Sequence, residues 1–165
     1  MEYFHRMKSA SVHELKQELL QLKSPRLTEL CLRLARFKKE NKELLTYLLF
    51  EAQDEAGFIR GICREIDEDF AAINLSHLYF AKKSLRKIVR TINKYTRYSG
   101  NRQTEVELRL YFCKKLIESG IPISQNAVIE NLFRSQVKKI HSGMDQLHED
   151  IRYDYRRDLA QIEAH

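Results

Sequence analysis

The sequence predicts an all-α protein, and three observations carry that prediction. Only five glycines and two prolines occur in 165 residues, too few for the frequent turns that β and α/β folds need. Apolar residues recur at steps of three and four along most of the chain, which is helical spacing. Charged residues make up 32%, as expected for long helices with wide solvated faces. We therefore predict about six helices, two of them long, packed as a helical bundle, with a short right-handed α-solenoid as the alternative.

The first two helices follow a weakly patterned start. Residues 1–10 are predicted to be a flexible N-terminus, and residues 11–165 a single all-helical domain. Ser11 and Glu14 have the spacing of a capping box, in which each side chain satisfies a backbone N–H of the other end. Ser24 and Pro25 mark a second helix start. The apolar positions of these helices are Leu15, Leu19, Leu22, Leu27, Leu30, Cys31, Leu34 and Phe37.

A long third helix is predicted, with Asn41 as its cap. Its apolar positions run from Leu45 to Ile73 in an almost unbroken heptad-like pattern. About 30 residues would span about 45 Å at 1.5 Å per residue. Two helices broken near residues 53–61 are the alternative, because Gly57 and Gly61 could weaken the helix there.

The fourth and fifth helices are separated by a clear turn. Ser76 is the predicted cap of the fourth, and Gly100 ends it. Its apolar positions are Leu78, Ala81, Leu85, Ile88, Ile92 and Tyr95. The fifth helix, predicted to be capped by Thr104, is apolar on two faces, as central helices usually are. We therefore expect it to be the most buried helix.

The last helix is predicted to start at Ser124 and to run to the C-terminus. It would approach 40 residues, with Ser142 and Gly143 as a possible kink. Its distal half, after about Asp150, is expected to protrude from the body. A partner-binding surface is predicted there at Arg152, Tyr153 and Arg156, because Tyr and Arg are enriched at interface hot spots. The alternative is that Tyr155 is core and the others are mixed-charge surface.

Charge is distributed unevenly along the chain. Residues 43–69 contain eight acidic and two basic residues, a balance of −6, whereas residues 70–104 contain eight basic residues and no acid. A basic helical stripe of this kind could bind a nucleic-acid backbone or an acidic partner. The alternative is that the acidic and basic helices are neighbours and neutralise each other. The candidate binding residues are Lys82, Lys83, Arg86, Lys87, Arg90, Lys94, Arg97 and Arg102.

One weak metal candidate is present. His141, Asp145 and His148 would share a helix face at i, i+4 and i+7, where imidazole and carboxylate could bind zinc or iron. A di-iron bundle needs two carboxylate-x-x-His elements together with glutamates from two other helices, and no His-x-x-x-His pair occurs in the sequence. Cysteines at helical seam positions normally behave as small hydrophobic residues. We therefore predict no metal and no cofactor.

Catalytic motifs are missing from the sequence. It has no glycine-rich phosphate loop and no G-x-S-x-G, so an enzyme is not expected. We predict a non-enzymatic helical interaction or scaffold protein that binds a protein partner or itself, with no small-molecule substrate. The alternatives are a nucleic-acid-binding protein that uses residues 82–102, and a helical-bundle metal protein.

The sequence also carries a prediction of location. Three separated cysteines without a C-x-x-C pair indicate reduced thiols. No secretory signal and no apolar run of membrane-spanning length are visible. These features predict a cytoplasmic protein that does not enter a membrane.

Overall fold

A computed structural model describes residues 8–165, and these residues form eight α-helices and one π-helical segment without any β-strand. The predicted all-α class and bundle are confirmed, although the helices outnumber the six expected. The chain divides into two compact units, residues 1–46 and 47–165. A single domain from residue 11 stays a prediction. The flexible N-terminus falls mainly on residues 1–7, which lie outside the described residues.

The first unit contains α1 (Val12–Leu20), α2 (Ser24–Phe37) and α3 (Lys39–Thr46). The predicted capping box is present, since Ser11 Oγ accepts from the Glu14 N–H at 3.2 Å and Glu14 accepts from the Ser11 N–H at 2.7 Å. Lys23, not Ser24, is the N-cap of α2. Asn41 lies inside α3 and does not cap it, because its side chain donates to the Leu34 carbonyl at 2.9 Å.

None of the residues in α1, α2 or α3 is buried. Seven of the eight apolar positions predicted for the first two helices therefore lie in helices, and Leu22 lies in the turn after α1, but these helix faces do not form a core. Among the large apolar residues of these three helices, the most exposed are Val12 (84%) and Phe37 (77%).

The second unit begins with the π-helical segment Tyr47–Glu51, followed by α4 (Glu55–Ala71). The continuous third helix that we favoured is therefore wrong, and the broken alternative is right. The break lies at residues 52–54, because Asp54 starts a new helix by accepting from the Gly57 N–H at 2.8 Å. Tyr47 also reaches across the break to donate to Glu55 at 2.8 Å.

Helix α5 (Leu78–Ser99) ends as predicted at Gly100, whose φ of 64° suits a glycine C-cap. Ser76 does not cap α5. His77 is the N-cap residue, and the Ser76 hydroxyl instead donates to the Asn74 side chain. Four of the six predicted apolar positions of α5 are buried, namely Ala81, Leu85, Ile88 and Ile92, whereas Tyr95 is half-buried and Leu78, in the first turn, is exposed.

Helix α6 (Arg102–Glu118) is the centre of the second unit and contacts α4, α5, α7 and α8. It buries more residues than any other described helix, as predicted. Thr104 is not its cap, because Asn101 occupies that position and accepts from the Gln103 N–H at 2.9 Å. A central helix with neighbours on all sides is a bundle arrangement and not that of a solenoid.

The predicted long C-terminal helix is two helices, α7 (Ala127–Met144) and α8 (Glu149–Glu163). The chain turns between them, and α8 packs on α6 and α7, burying Leu159 and Ile162. The distal half therefore does not protrude. Asn126, not Ser124, caps α7 by accepting from two backbone N–H groups. Gly143 is needed where α7 meets α6, because a Cβ there would lie 2.7 Å from Val106 Cγ2.

Candidate functional site

The basic residues of α5 lie on the side opposite its buried seam. Arg86, Arg90 and Arg97 are exposed, and among the described residues none of the three forms an ion pair. The N-terminal part of this side is an open groove of about 600 Å³. The groove is lined by Tyr79, Lys82, Lys83, Arg86, Val89, Arg90 and Leu132. It therefore combines four cations, one aromatic ring and an apolar floor.

The acidic helix α4 neutralises only part of this basic set. Helices α4 and α5 run antiparallel, since Lys87 pairs with Asp69 at 2.7 Å and Tyr95 donates to Glu65 at 2.9 Å. Arg102 pairs with Glu105 at 2.6 Å, and the Lys94 ammonium lies 4.6 Å from the centre of the Tyr95 ring. The structure thus separates the predicted stripe into cations engaged with neighbouring side chains, the open set in the groove, and Arg97, which forms no ion pair with a described residue and lies outside the groove.

A second cavity of about 520 Å³ lies where the end of α5 meets the start of α6 and the side of α7. It is lined by Asn93, Thr96, Arg97, Gly100, Asn101, Arg102, Glu105, Arg109 and Lys139. Sequence reasoning found only Arg97 and Arg102 of this group. The available signal for Arg109 was a charged residue between Leu108 and Leu110 in a helix that is apolar on both faces.

Arg109 is 2% exposed and is held by a full set of acceptors. Its guanidinium donates to Glu105 at 2.8 Å, Gln136 at 2.6 Å and Asn93 at 3.0 Å. Burial alone would raise the pKa of Glu105, but hydrogen bonds and charge from Arg109 and Arg102 outweigh it and lower that pKa. Burial, reinforced by the positive charge of Arg109, lowers the pKa of Lys139.

A polar cluster around Glu55 joins the start of α4 to the α5–α6 corner. Its carboxylate accepts hydroxyl hydrogen bonds from Tyr47, Ser99 and Thr104. Burial would raise the pKa of Glu55, but these three donors outweigh it and hold the pKa below its ordinary value. An ionised carboxylate with three donors is suited to holding helices together and leaves no oxygen poised as a general base.

The predicted C-terminal partner surface has mixed surroundings. Tyr153 is 72% exposed and Arg156 is exposed, whereas Arg152 is half-buried and its Nε has no hydrogen-bond partner among the described residues. Tyr155 donates to Glu107, which ties α8 to α6. Burial and the neighbouring carboxylate raise the pKa of Tyr155 above its usual range.

The three metal candidates do not share a helix face. His141 is in α7 and lies 2.5 Å from Glu163, Asp145 caps the end of α7, and His148 precedes α8. Between residues 8 and 165, no group of three or more potential metal ligands is clustered. The expected i, i+4, i+7 arrangement is wrong because the helix ends at Met144.

The thiols of Cys63 and Cys113 are not activated. Burial raises the pKa of Cys113 to about 12, and burial with nearby carboxylates raises that of Cys63 to about 11. Nucleophilic cysteines need the opposite shift, since only the thiolate attacks.

The other uncommon surface is apolar. In α1 every residue is exposed, including Val12, Leu15 and Leu19 at spacings of three and four. On α2, the apolar side chains of Leu34 and Phe37 are also exposed, by 61% and 77%. Amphipathic helices normally bury such a stripe, and large exposed apolar patches usually mark interaction sites.

Comparisons with protein-family models, curated proteins and solved structures give no match to this chain. No helix within residues 8–165 combines the length and the apolar character needed to cross a membrane. The chemistry of the residues themselves therefore carries the functional argument.

Proposed function

We propose that this chain is a non-enzymatic interaction protein that binds a protein partner through the apolar faces of α1 and α2. The observation that carries the proposal is the burial pattern of the first unit. Its helices have amphipathic spacing, yet none of their residues is buried. Burying apolar surface contributes roughly 25 cal/mol per Å², so covering these side chains would favour association.

The positive charge of the first unit supports an acidic partner. Residues 8–46 contain nine basic and five acidic residues, a balance of +4. A second copy would bring the same positive charge to the contact, which opposes self-association through this face. An acidic amphipathic helix complements both the apolar stripe and the charge, and it is the occupant that we propose.

Two labelled synthetic helices can test this proposal. Both peptides carry the same leucine seam, but one has a glutamate-rich and the other a lysine-rich polar face. Fluorescence anisotropy should show that the full chain binds the glutamate-rich peptide. The double variant Leu15→Gln/Leu19→Gln should weaken that binding at least about tenfold, because interface hydrophobic anchors each contribute a kcal/mol or more.

The matched control is Leu75→Gln, which changes a leucine that is 62% exposed in the second unit. It should leave the peptide affinity unchanged. Equal binding of the two peptides, or no effect of the α1 double variant, would contradict the proposal. Light scattering that shows a dimer dispersed by the α1 variant would instead assign this face to self-association.

A second candidate function, nucleic-acid binding, is favoured by the groove on α5. Lys82, Lys83, Arg86 and Arg90 line it, with Tyr79 as a ring on which a base could stack. A single strand suits this combination better than a duplex, because duplex bases are not available for stacking on a side chain.

Anisotropy of a labelled twelve-nucleotide single strand tests this second candidate. Affinity should fall linearly with salt on a log–log plot, and Lys82→Glu/Arg86→Glu/Arg90→Glu should abolish it. Arg86→Gln should weaken binding, whereas Lys87→Gln should not, because Lys87 is engaged with Asp69. Absence of binding at low salt would reject this function.

The expected cytoplasmic setting is part of the proposal. It is supported by the three free thiols, of which Cys31 is exposed. Exposed free thiols persist where glutathione keeps cysteines reduced.

A further inference from the structure

The cavity at the α5–α6 corner has an excess of positive charge. Arg97, Arg102, Arg109 and Lys139 line it together with a single carboxylate, Glu105, which leaves a balance of +3. Arg102 and Arg109 both pair with that carboxylate, at 2.6 and 2.8 Å. One negative charge is therefore shared by two guanidinium groups, and the other two cations remain.

Arg97 and Lys139 supply the available donors. Both side chains are exposed, and neither forms an ion pair with any described residue. They belong to different helices, α5 and α7, and they face the same cavity. Partial burial of its ammonium and then the positive charge of Arg109 lower the pKa of Lys139, and Glu105 offsets part of this effect. An anion in the cavity would add to the effect of Glu105.

The buried part of the cavity is already organised. Arg109 is fixed by Glu105, Gln136 and Asn93, so its position costs no further side-chain ordering when a ligand arrives. Gly100, the C-cap of α5, and Asn101, the N-cap of α6, both line the cavity, so the two helix dipoles offset each other there and the side-chain cations decide its charge. A buried, fixed arginine beside exposed cations is a common arrangement in phosphate sites.

We propose that this cavity binds a phosphate group, with Arg97 and Lys139 as the contacting cations and Arg109 as a buried positive support. A phosphate monoester dianion would offset most of the +3 balance. The site is an open depression of about 520 Å³, which leaves room for phosphate carried on a small nucleotide or on the end of a nucleic-acid strand. The shared chemistry of these ligands is a terminal phosphate.

This inference is independent of the proposed protein partner and of the α5 groove. None of its residues belongs to α1 or α2, and none lines the groove. Arg90 and Arg97 are seven residues apart, about 10 Å along α5 at 1.5 Å per residue. A strand in the groove could therefore place its terminal phosphate in the cavity, but a free mononucleotide would not need the groove.

Calorimetric titration of the full chain at constant low ionic strength tests the site with three probes. Adenosine monophosphate and inorganic phosphate should bind, and adenosine, which lacks the phosphate, should not. The double variant Arg97→Ala/Lys139→Ala should weaken monophosphate binding at least about tenfold, because each of its two substitutions removes a charge-assisted hydrogen bond. Lys138→Ala, which removes a neighbouring cation outside the cavity, should change it less than about twofold.

Two further comparisons separate the sources of the phosphate. A 5′-phosphorylated single strand that binds more tightly than the same strand with a 5′-hydroxyl would place a strand end in the cavity. Equal affinity of the two strands, with monophosphate binding intact, would assign the cavity to a small nucleotide. Adenosine binding as tightly as its monophosphate, an unchanged double variant, or no binding of any probe would overturn the proposal.

Discussion

The two units of this protein share one sequence pattern and differ in what that pattern achieves. In α1, Val12, Leu15 and Leu19 repeat at spacings of three and four, and all are at least 42% exposed. In α5, Leu85, Ile88 and Ile92 repeat in the same way, and all are 0% exposed. Helical spacing thus predicts that a face exists, but it does not predict what covers the face.

The difference follows from the number of apolar neighbours that each unit supplies. The second unit surrounds α6 with four helices, so that side chains from several directions fill its core. In its described part, residues 8–46, the first unit has three helices of 9, 14 and 8 residues and no buried residue. Isolated helices shorter than about 12–15 residues are marginal in water, so α1, which has nine residues and exposes all of them, has much to gain from a partner.

Matched phenylalanines should show the largest contrast between the units. Phe112 is 0% exposed beside Phe70, whereas Phe37 is 77% exposed. Phe112→Ala should cost about 3–5 kcal/mol of unfolding free energy, because it opens a cavity in the core. Phe37→Ala should change it by less than about 0.5 kcal/mol. Urea unfolding of both variants measures the contrast, and equal losses would contradict it.

Ion pairs should show a smaller contrast of the same kind. Glu105→Gln removes the carboxylate that pairs with Arg109, whose side chain is 3% exposed. We expect a loss of about 2–3 kcal/mol, because a buried guanidinium loses its counter-charge. Glu29→Gln breaks the exposed pair with Arg26 in the first unit and should cost less than about 0.5 kcal/mol. Chemical denaturation in low and high salt distinguishes the two ion pairs, since salt screens the exposed pair much more strongly than the buried pair.

Acid should destabilise the second unit through its hydrogen-bonded carboxylates. The pKa values of Glu55 and Glu105 are lowered on folding, so their ionised forms stabilise the fold above the ordinary glutamate pKa of about 4.3. That contribution should disappear as pH falls through the lowered folded-state values. The free energy of unfolding, measured from pH 7 to pH 3, should therefore fall less steeply in Glu55→Gln than in the wild type. Identical slopes would show that folding does not lower the pKa of Glu55.

Two helix glycines should give the smallest effects, with opposite signs. A Cβ at Gly61 meets no atom within 4 Å, so Gly61→Ala should stabilise α4 by about 0.5–1 kcal/mol. A Cβ at Gly143 would lie 2.7 Å from Val106, so Gly143→Ala should destabilise by about 1 kcal/mol or more. Thermal unfolding resolves the two signs, and a stabilising Gly143→Ala would show that α6 and α7 can separate.

Features set by local sequence could be predicted, and features set by distant contacts could not. The Ser11–Glu14 capping box and the Gly100 helix end depend on residues within one turn, and both are present. The break at residues 52–54 interrupts a seam whose apolar spacing continues through it. It depends on Asp54 as a cap and on Tyr47 reaching Glu55, which periodicity does not encode.

The candidate sites divide in the same way. Spacing alone placed Lys82, Arg86 and Arg90 on one side of α5, and they line one groove. It could not show that Lys87 would meet Asp69, eighteen residues away, or that Lys139 and Arg109 would join Arg97 at one cavity. Those arrangements depend on how four helices, α4 to α7, pack together, which a single sequence does not display.

The central claim is that the second unit has a core of its own, whereas the apolar face of α1 stays uncovered until a partner binds. Peptide-resolved hydrogen exchange of the full chain without a partner tests this claim most directly. Amides of α6 should exchange at rates set by global unfolding, whereas those of α1 should exchange close to the rates of unstructured peptides. Addition of the glutamate-rich helix should slow exchange in α1 and leave α6 unchanged. Protection of α1 equal to that of α6 in the free chain would contradict the account, because its apolar face would then already be covered.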